Sequence, residues 1–250
     1  MDDLGTRVEL PNHVSRIVSL VPSLTESVAS VDPSALVAVT EWCTHPADLS
    51  STRIRGTKNP DTAAIIALRP EIVLANKEEN RLIDVNRLRS AGVPVWVTEI
   101  ETVAQALISL RRLFTEALGW SAPQWLTDAD AAWGAPVPER RRPTAIAVWR
   151  EPWMVVGHST FTGDLAERLG LENVFGASSS RYPHVSVEEI LAAGPRLVVL
   201  PDEPYAFSAV DGPECFPQVE TALVPGRLLT WYGPSLATAR DELRNLLPNS

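Results

Sequence analysis

The sequence predicts an α/β fold of two lobes, each a parallel sheet with crossover helices. Three observations predict it. Short β-branched runs alternate with helical patterns along the whole chain, with spacings long enough for crossovers. The two halves repeat one segment: Asp61 to Ala75 matches Ser186 to Leu200, each a capped short helix, a proline that stops it and a buried strand. The length of 250 residues gives each lobe room to bury its own core.

The elements follow in order. Arg16–Leu20, Leu36–Val39, Ile72–Ala75 and Pro94–Val97 read as strands of the first half. Thr144–Trp149, Arg196–Leu200 and Arg227–Trp231 read as strands of the second. Val103–Leu118 is amphipathic and closes the first lobe as a helix. Pro123–Trp133 reads as a helix between the lobes, begun by Pro123 and ended by Gly134 and Pro136. The lobes then span residues 1–120 and 143–250, with residues 121–142 a linker helix and a Pro/Arg connector. Asp61 and Ser186 are N-cap types, and Ser186 with Glu189 makes a capping box. Ser23 with Glu26 shows the same pattern, and capping is its first reading.

Composition narrows the function. The net charge of −9 leaves no basic face for nucleic acid. Arg140-Arg141-Arg142 lies between prolines and reads as a solvated linker. The start, Met1-Asp2-Asp3-Leu4-Gly5, shows neither a signal-peptide pattern nor a lipidatable cysteine, and no stretch suits insertion in a membrane. The expectation is a cytoplasmic protein in which Cys43 and Cys215 are reduced thiols.

In open α/β sheets, ligands bind beyond the carboxyl ends of the strands. The loops placed there hold Trp42, Trp153, Tyr205, Trp231 and Tyr232, together with Lys77 and Arg150. Lys58 sits in the polar loop 56–60. Aromatics with a few polar heads suit a large planar or apolar ligand, although any one of these tryptophans is as easily core packing. Trp120 and Trp125 are assigned to helix packing. Cys43-x-His45 offers soft metal ligands or a thiolate beside an imidazole, and His158 a further metal ligand. Two residues in one loop fall short of a tetrahedral set. His158 reads first as a helix-entry residue. No phosphate loop, Gly-x-Ser-x-Gly elbow, His-Glu-x-x-His or paired Cys-x-x-Cys occurs, and no residue is assigned a catalytic role.

Taken together, Arg16–Glu26, Asp61–Ala75, Trp149–Met154, Arg181–Ser186, Leu200–Phe207 and Thr230–Gly233 resemble the helical-backbone metal-receptor family. These are the class III substrate-binding proteins of ABC importers for cobalamin, haem and ferric siderophores. The resemblance spans about Arg16 to Leu247. It implies two Rossmann-like lobes joined by a single linker helix, with a bulky metal chelate held in the inter-lobe cleft. A cobalamin-like corrinoid is the first expectation for that bound ligand, then haem or a ferric siderophore, with an acceptor protein or transporter as partner. The sequence departs from the family in lacking an export signal, in a short linker helix and in Gly233-Pro234-Ser235, where relatives often carry an arginine. Two other readings stand beside it. One is a chelatase-like enzyme of tetrapyrrole or metal handling that uses Cys43 and His45. The other is a partner-binding module that has lost its ligand.

Overall fold

The computed structural model describes residues 1–248. Its chain divides into two compact units. The first comprises Met1–Ile100, Gln105–Thr127 and Tyr232–Pro234; the second comprises Glu101–Ala104, Asp128–Trp231 and the chain from Ser235.

The first unit holds β1 (Ile17–Ser19), β2 (Leu36–Val39), β3 (Thr52–Arg53), β4 (Ile72–Asn76) and β5 (Val95–Thr98). They form one sheet in the order β3-β2-β1-β4-β5, and every pairing is parallel. The crossovers are helices α1 (Pro22–Ala29), α2 (Thr62–Leu68) and α3 (Leu82–Ser90). Val18, Leu20, Val73, Ala75, Val95 and Val97 bury one continuous core against Ile65, Val85 and Leu88. Near-continuous apolar strands are what a sheet covered on both faces requires.

Helix α4 (Val103–Arg112) runs on as a wider turn over Leu113–Leu118, closed by Gly119 at φ +66°. Helix α5 (Gln124–Trp133) follows, and the division between the units falls within it. Trp120 donates to the Val14 carbonyl at 2.9 Å, and Trp125 sits edge-on to Phe114. Both pack helices, as their spacing predicts.

The second unit holds β6 (Arg142–Trp149), β7 (Met154–Val155), β8 (Leu171–Asn173), β9 (Leu197–Pro201) and β10 (Glu220–Val224), with helices α6 (Phe161–Arg168), α7 (Val187–Ala192), α8 (Gly226–Thr230) and α9 (Leu236–Leu246). β10, β9, β6 and β8 pair in parallel, while β7 pairs antiparallel with β6. This sheet is therefore mixed, where the sequence predicted parallel strands throughout. The turn Arg150–Trp153 is too short for a parallel crossover, so β7 folds straight back.

Two more expectations are corrected. Arg227–Trp231 is not a strand: the strand is Glu220–Val224, and Gly226–Thr230 is helical. A five-residue stretch is too short to carry a period that separates the two states, and here the Asp202 carboxylate accepts the Gly226 N–H at 2.7 Å where the helix starts. The Ser23/Glu26 capping box does not form either. Pro22 opens α1 two positions earlier, leaving Ser23 inside the helix and Val21 at its cap. The capping box at Ser186 and Glu189 is present with both of its bonds, and Asp61 caps Ala64.

Candidate functional site

The carboxyl-end loops of the first sheet are held by short polar turns. After β4, the buried Asn76 side chain accepts the N–H groups of Glu78 and Glu79 at 2.8 and 3.2 Å. Asn80 accepts the Asn76 N–H and donates to the Thr57 carbonyl at 3.0 Å. These bonds fix where the loop's charged residues lie. Lys77 pairs with Glu99, and Lys58 donates to the Glu78 carbonyl at 2.6 Å. Tyr232 donates its phenol to Glu79 at 2.8 Å. Burial pushes the Glu79 carboxyl up to about 7; Glu78 adds to the rise, while the Tyr232 hydroxyl and Lys58 oppose it. Burial, then the Glu79 charge, holds the Tyr232 phenol well above its ordinary value.

After β2, the structure separates residues that the sequence grouped. Trp42 is 65% exposed. Gly56 packs against it: a Cβ there would lie 3.2 Å from Trp42 Nε1 and 2.7 Å from Asn59 Oδ1. His45 is exposed beside Thr44, before a cis bond to Pro46. Cys43 is fully buried, with Thr25 and Thr40 hydroxyls 3.0 and 3.1 Å from its sulfur. Burial pushes its thiol up, the wrong direction for a nucleophile or a metal-binding thiolate. The reading of Cys43 and His45 as a thiolate–imidazole pair is corrected on that ground.

The second unit gathers aromatics after β6 and β9. Trp153, expected as a ligand-flanking ring, belongs to the core. It is 8% exposed, stacks on Phe207 at 5.6 Å, meets Phe216 edge-on at 5.3 Å and lies under the Arg150 guanidinium. Arg150 is tied to Asp211 and, at 2.5 Å, to Glu214. Tyr205 donates to Asp211 at 2.8 Å and meets Trp149 edge-on at 5.4 Å. Trp149 is 41% exposed and is the open ring of this cluster, a residue the sequence reading left inside a strand. Its position as the last residue of β6 was the available signal. Trp231 is buried and follows α8 rather than a strand.

His158 lines a cavity of about 460 Å³ within the second unit, beside α6 and β8, with Thr160, Asp164, Glu167 and Asn173. The acids there are engaged: Glu167 with Arg141 at 2.6 Å, Asp164 with Arg168 at 2.8 Å. Among the described residues, no group of three or more His, Cys, Asp or Glu is placed to hold a metal ion. Cys43, His45 and His158 accordingly form no such shared group.

Residues 17–208 match the model of the periplasmic binding protein family. The chain belongs to that family. It is 24% identical over 204 residues to the vitamin B12-binding protein of Pectobacterium carotovorum subsp. carotovorum (strain PC1), covering 78% of this chain and 74% of the relative. It is 26% identical over 197 residues to the vitamin B12-binding protein of Salmonella typhimurium, covering 74% and 71%. Among solved structures, the periplasmic vitamin B12 binding protein of Vibrio cholerae superposes with a TM-score of 0.73 at 19% identity, covering 93% of this chain and 96% of that one. The periplasmic heme-binding protein of Roseiflexus sp. RS-1 in apo form gives 0.75 at 18% identity, covering 93% and 97%. These structures share the fold, the two-lobed class III type.

As a periplasmic binding protein of this type, the chain is a binding protein rather than an enzyme, and the chelatase-like reading has no support. Its chemistry is capture, so the informative features are ring faces, hydrogen-bonding groups and charge at the loops described above. No helix among the described residues is long and apolar enough to cross a membrane.

Proposed function

We propose that this periplasmic binding protein captures a cobalamin-like corrinoid and passes it to an acceptor or transporter. One observation carries the choice of ligand: two of the basic side chains of the carboxyl-end loops, Lys77 and Arg150, are already in ion pairs. Lys77 is paired with Glu99, Lys58 with the Glu78 carbonyl, and Arg150 with Asp211 and Glu214. A ligand rimmed with carboxylates needs free cations. A corrin rim of amides offers N–H donors, for which Glu78, Glu79, Asp211 and the loop carbonyls are acceptors. Trp42 and Trp149 present exposed ring surface, and burying it against a macrocycle contributes about 25 cal/mol per Å² of apolar area. The names of the curated relatives agree with this ligand class.

Haem is the second reading. The exposed His45 imidazole favours it, since imidazole is a common axial ligand of haem iron. The protein is proposed to act in a reducing, cytoplasmic setting, to which its two free cysteines are suited.

Parallel titrations with cyanocobalamin and hemin, followed by absorbance and tryptophan fluorescence, test the proposal. Saturable one-to-one binding of cyanocobalamin, tighter than hemin, is expected. Hemin binding with no response to cyanocobalamin would overturn the corrinoid reading in favour of haem.

A further inference from the structure

The segment Tyr232–Pro234 stands out in the chain. It connects α8 to α9 in the second half of the sequence, yet it packs as part of the first unit. Two contacts hold it there. Gly233 lies against α1: a Cβ at that position would be 3.1 Å from the Ser23 carbonyl and 3.2 Å from Ser27 Oγ, with Glu26 Oε2 at 3.6 Å. Tyr232 reaches the loop after β4 and donates to Glu79. Seating the turn therefore takes water away from a carboxyl group.

We infer that the Tyr232–Pro234 turn is a proton-linked latch, seated when Glu79 is protonated and loosened when Glu79 ionises. The charge environment sets the direction. Glu78 lies beside Glu79 in the same loop, Tyr232 covers it from the turn, and Ser23 and Glu26 face the turn from α1. Lys58, from the loop before α2, is a cation that bears on Glu79, and it spends a hydrogen bond on the Glu78 carbonyl. Lys77, next along the loop, is taken by Glu99. An ionised Glu79 would face a neighbouring carboxylate at a partly covered site, compensated by the Tyr232 phenol and the Lys58 ammonium.

The linkage has one sign. With the turn seated, the carboxyl titrates at about 7; exposed to water it returns towards 4.5. Seating is then favoured most below pH 4.5, weakens as pH rises through that window, and is weakest above 7. Unlike the choice of ligand, this inference needs no ligand, so its test is separate from the titrations above.

Carboxyl-carbon NMR of the full chain labelled at glutamate reads Glu79, and the Gly233 amide reads the turn. Glu79 is expected to titrate near 7, with the Gly233 amide shift moving at the same midpoint. In Glu79→Gln the Gly233 shift should lose that titration. In Gly233→Val, whose side chain cannot fit against α1, the Glu79 midpoint should fall towards 4.5. A Glu79 midpoint near 4.5 in the unaltered protein would overturn the latch. So would a Gly233 amide that ignores Glu79, or an unchanged midpoint in a folded Gly233→Val variant.

Discussion

The two units of this periplasmic binding protein are built on one plan and use their aromatic residues in opposite ways. In the first, β1 is flanked by β2 and β4, and β5 extends β4. In the second, β6 is flanked by β8 and β9, and β10 extends β9. The repeated helix–proline–strand segment supplies α2 and β4 in one and α7 and β9 in the other. The differences lie at the margins. The first unit adds the short parallel strand β3, and its loop tryptophan, Trp42, is open. The second adds antiparallel β7, and its loop tryptophan, Trp153, is covered by two phenylalanines and an arginine. Tryptophans in carboxyl-end loops thus serve packing in one unit and exposure in the other, according to what the neighbouring loop provides.

The largest expected break in this comparison comes from Trp153→Ala. It should destabilise the protein by about 3–5 kcal/mol in chemical denaturation, as deletion of a core ring does, while Trp42→Ala should change stability by less than about 0.5 kcal/mol. Equal effects would mean that the two rings are not differently used.

Ligand affinity sharpens the contrast from the other side. Trp42→Ala and Trp149→Ala should each weaken cyanocobalamin binding by about 2 kcal/mol, the cost of truncating a central anchor, which is about thirtyfold in Kd. Unchanged affinity in both folded variants would move the site away from the exposed rings.

A smaller effect is expected where the repeats differ by one residue. Arg69 and Gly194 occupy the same place, just before the proline, and both are left-handed, at φ +47° and +69°. A Cβ at Gly194 meets nothing within 4 Å, so Gly194→Ala carries only the conformational cost, about 1 kcal/mol. Arg69→Gly should relieve strain of similar size, offset in part by the added freedom of the unfolded chain. Thermal melts of the pair would show opposite signs. Matching signs would mean that the turns differ in more than their residue.

The smallest effect is chemical. A thiol reagent should find two thiols in the denatured protein. In the native protein Cys215 should react first, because Cys43 is fully buried while Cys215 keeps partial exposure. Equal native rates would contradict the buried placement of Cys43.

Much of the frame was legible in the sequence because backbone conformation answers to local rules. Seven strands were read, and six lie within two residues of their places at both ends. The seventh, Arg227–Trp231, failed because so short a stretch fits a strand or a buried helical turn equally well. The candidate site was less legible. Trp153 and Trp42 look alike in sequence, each an aromatic beside a proline-containing loop, and only their neighbours separate them. Lys77 reads as a ligand-binding cation, and its ion-pair partner Glu99, beyond the end of the next strand, has no signal in the loop's own sequence. Glu79 carries no signal of its own, because nothing near it in sequence foretells Tyr232.

By itself, then, the sequence determined the alternation of strands and helices, the repeat, the helix starts at Asp61 and Ser186 and the family. Those follow from propensity, capping and periodicity, which act over a few residues. Tertiary structure alone decided that Cys43 is inert, that Trp153 is core, that the loop cations are spent, and that Tyr232 covers Glu79. Each of these depends on which distant residue excludes water from a group, and burial of that kind has no local signature.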